Sequence, residues 1–349
     1  MKKTQVTIHD IARELNVSAS TVSRALADHP RISKSTKDRI RKLAVKLNYS
    51  PNVIASSLRR GKGNIIGIIV PNINRHFFSN VIESIEREAG KAGYNVMICQ
   101  SQEQYLKEVS HVQTMLNARV DGIITSISTE TGDFSHFRAV IERGIPLIFF
   151  DRVVKSLSVS YVELDDYKGA YEAVSHLIDE GCKRIAFFGG PQHINIYNNR
   201  RQGYIDALLE HKLDIQSNIV FENVLNRAKG YEATASLFTS KNPPDAIFSA
   251  SDFSALGAIL YLKENGIRVP EDVAVAGFAN EPFTSLTDPS ITTVDQQAVK
   301  IGRLAASLFL EQVLDEHPFS VIRQEQVQPE LIIRQSSVKL NKTATYLTN

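Results

Sequence analysis

One short segment of this chain carries the residue types that recognition chemistry needs. In Ser18-Ala19-Ser20-Thr21-Val22-Ser23-Arg24, four hydroxyl-bearing serines and threonines and one small residue lead to a guanidinium. Arginine is planar and permanently charged, and its fork matches O6 and N7 of a guanine. One such bidentate contact discriminates between bases by about 1–3 kcal/mol. Ala19, Ser20 and Arg24 are therefore the candidate base-reading residues, with Ala19 offering a methyl to a thymine methyl. Thr7, Thr21, Ser23, Ser33 and Tyr49 are the candidate phosphate contacts, which fix register without reading sequence. A phosphate contact is also the alternative role for Arg24.

The elements that must hold these groups are two short helices and a turn. Ile8, Ile11, Ala12 and Leu15 recur at i, i+3, i+4 and i+7, one apolar face of a helix that Thr7 caps. Asn16-Val17-Ser18 breaks the pattern, and Ser18 caps a second helix that buries Val22, Ala25 and Leu26. Ser33 or Ser35 then caps a third, with Ile40, Leu43, Ala44 and Leu47 inside. This is a helix-turn-helix, whose second helix enters a DNA major groove. Charge agrees. Residues 1–62 hold 14 Lys+Arg against 4 Asp+Glu, whereas the rest holds 26 against 34. A basic head on an acidic body suits a partner made of phosphates.

Ser50-Pro51 is a strong helix start, and Gly61 and Gly63 mark its end. The helix between them has only about eight residues, and isolated helices below ~12–15 residues are marginal in water. It is expected to order only when something packs on it. From Asn64 onward, apolar runs such as Ile65–Val70, Gly122–Thr125, Pro146–Phe150, Arg184–Phe188 and Asp245–Phe248 alternate with amphipathic helices. That alternation predicts parallel sheets covered on both faces, in two α/β subdomains. Ligands in such folds lie near strand C-terminal ends, so Phe78, Asp151, Arg200, Ser251 and Asp252 become candidates for a cleft. Arginine and aspartate converging on vicinal hydroxyls, with a phenyl ring for stacking, suit a sugar.

Three blocks of the head, Thr7-Ile8-His9-Asp10-Ile11-Ala12, Val17-Ser18 with Thr21-Val22-Ser23-Arg24, and Tyr49-Ser50-Pro51-Asn52 with Ala55 and Leu58, resemble the lactose-repressor (LacI/GalR-type) family. In the body Arg119–Ile124, Ile145–Arg152, Gly181–Ile185 and Val269–Phe278 extend the resemblance over about residues 6 to 335. It implies an all-α helix-turn-helix headpiece (1–48), a hinge helix and linker (49–63), and a periplasmic-binding-protein-like α/β core of two parallel-sheet subdomains (64–335). A polar, disordered tail (336–349) is expected to follow. It also implies a homodimer on a palindromic double-stranded DNA operator, controlled by a small effector. By the same likeness Asn52 and Ala55 lie on the hinge helix, and Leu58 wedges into the minor groove, a known use of exposed apolar side chains. Arg200, Asp151 and Gln296 match cleft-lining positions. The chain departs from the family at Ala27, where many members carry Asn, and at Ala279, which removes a common effector-binding carboxylate. Asn280 or Glu281 is the expected substitute.

Other classes find less support. There is no phosphate-binding loop, nucleophile elbow or zinc-protease motif, so no catalysis, metal or cofactor is expected. Cys99 and Cys182 have no paired spacing and read as reduced thiols of a cytoplasmic protein. No apolar run approaches the ~18 residues of a membrane span. The reading is a repressor controlled by a sugar or sugar derivative. The alternatives are a regulator recruited by a non-sugar metabolite, a sugar-binding protein without DNA function, and a sugar-active enzyme.

Overall fold

The computed structural model describes residues 6–47, 49, 63–315, 319 and 321–339. The chain divides into two units, 1–63 and 64–349.

The first unit contains α1 (Ile8–Leu15), α2 (Ala19–Leu26) and α3 (Lys34–Lys46). Ile11, Ala12, Val22, Ala25, Ile40 and Ala44 form its buried centre, ringed by half-buried Ile8, Leu15, Leu26 and Leu47. Asn16 ends α1 in the left-handed conformation (φ 53°), which Asn tolerates better than most side chains. Ser18 and Ser33 cap α2 and α3 by accepting from the Thr21 and Thr36 amides at 3.1 and 3.3 Å. Asp28 receives Lys37 at 2.9 Å and Arg41 at 3.0 Å, pinning the α2–α3 loop to α3. Asn52, Ala55 and Leu58 lie outside the described residues.

The second unit holds two parallel sheets. The first contains β1 (Ile65–Val70), β2 (Asn95–Gln100), β3 (Gly122–Thr125), β4 (Leu147–Phe150), β5 (Ser160–Leu164) and the late strand β11 (Gln324–Val327). Their order is β11-β5-β4-β3-β1-β2, every pair parallel. The second sheet runs β7-β6-β8-β9, from β6 (Ile185–Phe188), β7 (Val220–Phe221), β8 (Ala246–Ser249) and β9 (Ala274–Ala276). The chain passes between the sheets through the helix that follows β5, through β10 (Thr293–Asp295) and again through β12 (Glu330–Ile332), the last two pairing antiparallel. Helices α4 (His76–Lys91), α5 (Tyr105–Ala118), α6 (Ser135–Glu142), α7 (Asp166–Asp179), α8 (Asn195–Glu210), α9 (Arg227–Phe238), α10 (Asp252–Glu264) and α11 (Ala298–Leu314) complete the unit.

The expected tail boundary is too early. Ser336 and Ser337 are fully buried. The Val275 amide donates to the Ser336 carbonyl at 2.7 Å, and the Ser336 hydroxyl donates back to the Val275 carbonyl at 2.6 Å. Ser336 therefore pairs along the edge of β9, and the Ser337 hydroxyl lies 2.6 Å from that of Thr292, so neither begins a free tail.

Helices α7 and α8 lie backbone to backbone where Gly203 faces the Tyr167 carbonyl and the Tyr171 amide. A Cβ there has no room, and the obstructing atoms are main chain. Gly203→Ala is expected to lower the unfolding free energy by about 1–3 kcal/mol, the usual penalty for overpacking. Chemical denaturation checks it; an unchanged midpoint would mean that the two helices separate freely.

Candidate functional site

In the headpiece the solvent-facing side of α2 presents Ser20, Arg24 and, just past its end, Ala27. Ala19, expected to point outward, is half-buried and packs on the headpiece core. The N-cap turn of the helix draws it inward, leaving Ser20 and Arg24 one turn apart as the exposed pair. The phosphate candidates divide similarly. Thr7 is exposed, but its amide and hydroxyl donate to Asp10 at 2.9 and 2.7 Å. The Thr21 hydroxyl lies 2.8 Å from that of Ser18. Ser33 spends one lone pair on its cap, Ser23 is half-buried, and Tyr49 packs against the core.

In the second unit a cavity of about 460 Å³ opens where the C-terminal ends of both sheets meet. Of the sequence candidates, Phe78, Asp151, Arg200, Ser251, Glu281 and Gln296 line it. Phe78 is buried, edge-on to Phe77 (5.2 Å) and Phe150 (6.1 Å), so it is a wall rather than a free stacking face. Asp151 is buried in the left-handed conformation (φ 61°) and accepts from the Ser126 hydroxyl at 3.2 Å. Burial pushes its carboxyl up, opposed by Arg152 and Arg200.

Two candidates are not in this wall. Asp252 lies beneath it. It accepts from the Thr293 hydroxyl at 2.6 Å and the Glu281 amide at 2.8 Å, bracing the 279–281 loop from inside the core. Asn280 turns toward a smaller cavity, donating to Asp295 at 2.7 Å and accepting from Arg334 at 3.0 Å. A left-handed turn, with φ 121° at Ala279 and 50° at Asn280, separates Asn280 from Glu281.

Arg200 also departs from expectation. Its Nε and Nη2 both engage one Asp166 oxygen, at 2.8 and 2.7 Å, and Nη1 donates to the Ala250 carbonyl at 2.9 Å. Its plane lies 3.7 Å from the Phe278 ring centre. The guanidinium is thus largely committed before any ligand arrives. Asp165 caps α7, accepting from the Lys168 amide at 3.0 Å.

Sequence reading missed Arg75, Glu103 and Arg152. Arg152 donates through both terminal nitrogens to Glu103, at 2.7 and 3.1 Å. The only signal was position: each follows the end of a first-sheet strand. Contacts also cross the cleft. Arg75, leading into α4, lies 4.0 Å over the Phe253 ring, and His193 donates to the Thr129 carbonyl at 2.7 Å.

The family model for bacterial regulatory proteins of the lacI family matches residues 7–52. The model for a periplasmic binding protein-like domain matches 174–337. The chain is 32% identical over 339 residues to the HTH-type transcriptional repressor CytR of Escherichia coli, covering 96% of this chain and 97% of that one. The chain belongs to the LacI family. The Haemophilus influenzae repressor PurR is 31% identical over 95% of this chain and 98% of its own length. Among solved structures, the Lac repressor dimer bound to operator and the anti-inducer ONPF superposes with a TM-score of 0.85 at 24% identity. It covers 96% of this chain and 100% of that one, a likeness of fold. As a LacI-family protein, the chain is a DNA-binding regulator under effector control.

Within that core, burial pushes the Asp252 carboxyl up to about 7, against the Thr293 hydroxyl and the Glu281 amide, which hold it down. A carboxyl with a higher pKa in the folded than in the unfolded chain binds its proton more tightly when folded. Its stabilising contribution is full below the ordinary carboxylate range and is lost as pH rises through about 7. Relative to Asp252→Asn, the wild type should therefore lose stability between about pH 4 and 7, with a slope of at most ~1.4 kcal/mol per pH unit, and run level above that. Denaturation at a series of pH values reads it; parallel curves for the two proteins would refute it.

Proposed function

We propose that this protein is a cytoplasmic, non-catalytic repressor that acts as a homodimer on a palindromic operator and takes a sugar or sugar derivative in the core cleft. Ser20 and Arg24 read base edges, with Ala19 at the margin of the contact. Thr7, Thr21, Ser23, Ser33 and Tyr49 face or flank the phosphates. Asn52 and Ala55 belong to the hinge, and Leu58 enters the minor groove. The observation that carries the reading is the exposed Ser20–Arg24 face on the second helix of a helix-turn-helix, in a chain that shares its whole length with repressors. The sugar assignment rests on the cleft, where a buried carboxylate, Asp151, sits among aromatic walls and amide side chains. Catalysis is not assigned, because Glu103 and Asp166 are spent on guanidiniums. Among the described residues no helix is long and apolar enough to cross a membrane.

Gel shifts with intact protein and with protein lacking residues 1–61 test the DNA reading. The intact chain should prefer one palindrome over random duplex at moderate salt, and the truncated chain should bind neither. Lack of preference in the intact chain would overturn the proposal. Arg24→Ala should cost about 1–3 kcal/mol on the preferred site and relax specificity at one base pair. A uniform loss on all sequences, with a shallower salt dependence, would mark Arg24 as a phosphate contact instead. Leu58→Ala should weaken specific binding far more than non-specific binding; equal losses would contradict the wedge.

A further inference from the structure

Beside the main cavity lies the smaller one toward which Asn280 turns, of about 220 Å³. Three residues, Phe77, Ala279 and Gln296, line both, so they form the partition between the two spaces. The smaller, rear cavity is framed by the first turns of α4 and α11 and by the loop that follows β9. Both helices pack on the first sheet, and the Ser84 hydroxyl ties them together by donating to the Val299 carbonyl at 2.9 Å. The loop belongs to the second sheet. An occupant of the rear cavity would therefore touch both subdomains.

The partition is thinnest at Ala279. Its φ of 121° is a conformation that L side chains rarely adopt, and it persists only where the surroundings impose it. Here they do. The Ala279 amide donates to the Val294 carbonyl at 2.9 Å, and the Asn280 amide donates to the Thr293 hydroxyl at 3.1 Å. A methyl group is thus fixed where the two cavities adjoin. Beside it, Gln296 is 6% exposed, and among the described residues its side-chain amide has no hydrogen-bond partner. A buried amide left unsatisfied costs about 1–3 kcal/mol, so such groups are normally paired. This one is available to whatever passes from one cavity to the other.

The rear lining suits hydroxyls better than a net charge. Its carboxylate and its ammonium, Asp295 and Lys300, offset each other. One Asp295 oxygen accepts from the Gln297 backbone and side-chain amides at 2.6 and 3.2 Å. The other takes only the Asn280 side chain at 2.7 Å, which leaves it one acceptor site. The Asn80 nitrogen lies 2.9 Å from His76 Nε2, and among the described residues its oxygen has no partner. Hydroxyls can donate to these oxygens and accept from Gln296 and Lys300. A single water needs only ~10–15 Å³ of such space, so the rear cavity has room for a ring and not merely for one hydroxyl.

We propose that the rear cavity is a second subsite of the effector site, and that the effector is a neutral glycoside. One sugar ring occupies the main cavity, the glycosidic link passes Ala279 beside Gln296, and the second ring occupies the rear cavity. The inference rests on the reading of the main cavity as the effector site.

Calorimetry and thermal shift on the full-length protein test it with matched probes. They are glucose against maltose and cellobiose, galactose against lactose, and ribose against uridine. The disaccharides carry the second ring through oxygen and uridine carries it through nitrogen, which distinguishes the two kinds of glycoside. At least one two-ring probe should bind about tenfold or more tightly than its parent sugar, the worth of one or two hydrogen bonds. Val299, exposed on the first turn of α11, lines the rear cavity and not the main one. Val299→Phe fills that space, and should remove the advantage of the two-ring probe while leaving the parent sugar unchanged. The absence of a saturable response to every two-ring probe would overturn the proposal, as would a parent sugar that binds as tightly as its glycosides. So would a cooperatively melting Val299→Phe that keeps the advantage or that weakens both ligands equally. Operator binding by the same preparations is scored separately. A two-ring probe whose advantage depends on Val299 but which leaves operator affinity unchanged upholds the subsite and refutes the effector reading. A parent sugar that shifts operator affinity as strongly as its glycosides, in wild type and in Val299→Phe alike, refutes the subsite and leaves the effector reading intact.

Discussion

The ion pair between Arg200 and Asp166 is the interaction around which the core is organised. Asp166 opens α7 directly after the last residues of β5, on the side of the first sheet. Arg200 comes from α8, on the side of the second. The same guanidinium holds the Ala250 carbonyl at the end of β8 and lies on Phe278 beyond β9. Three strand ends, of β5, β8 and β9, are thereby referred to one buried charge. Removing either partner of a buried pair is costly because the other is left without compensation. Gly203 is the geometric condition for the pair, since it lets α8 approach α7 closely enough for Arg200 to reach Asp166.

From that constraint the character of the cleft follows. Parallel strands end where helices begin, so both sheets direct loops and helix N-termini into one space. Such a space attracts anions unless acids are built in. Here they are built in: Glu103 against Arg152 and Asp166 against Arg200. Movement of one subdomain against the other must alter the Arg75–Phe253 stack and the His193–Thr129 hydrogen bond together. These are the differential contacts through which a ligand in the cleft can bias the arrangement of the core.

Much of this was legible in the sequence. The Thr7 and Ser18 caps with the 3.6-residue period place α1 and α2 where they occur, and the apolar runs mark most strands of both sheets. The elements that escaped are polar. β11 reads Gln-Glu-Gln-Val because it is an edge strand with one face toward water. β5 is wholly buried but carries Ser160 and Glu163, whose partners Gln312 and Lys155 cannot be inferred from local pattern. Helix α8 begins at Asn195 in a polar stretch, where Arg200 is buried by charge pairing and not by hydrophobicity. Asp252 and Asn280 were misplaced for a related reason. A position after a strand end brings a residue near the cleft, but the left-handed turn at 279–280 decides which side chain enters it.

In a regulator under effector control, cleft and headpiece share one conformational equilibrium, which makes their coupling reciprocal. The most direct measurement is a closed thermodynamic cycle by calorimetry: operator affinity with and without saturating effector, and effector affinity with and without operator. The two ratios should be equal and different from one, with a coupling of about 1–3 kcal/mol. An effector that binds the cleft equally well in free and operator-bound protein would contradict it.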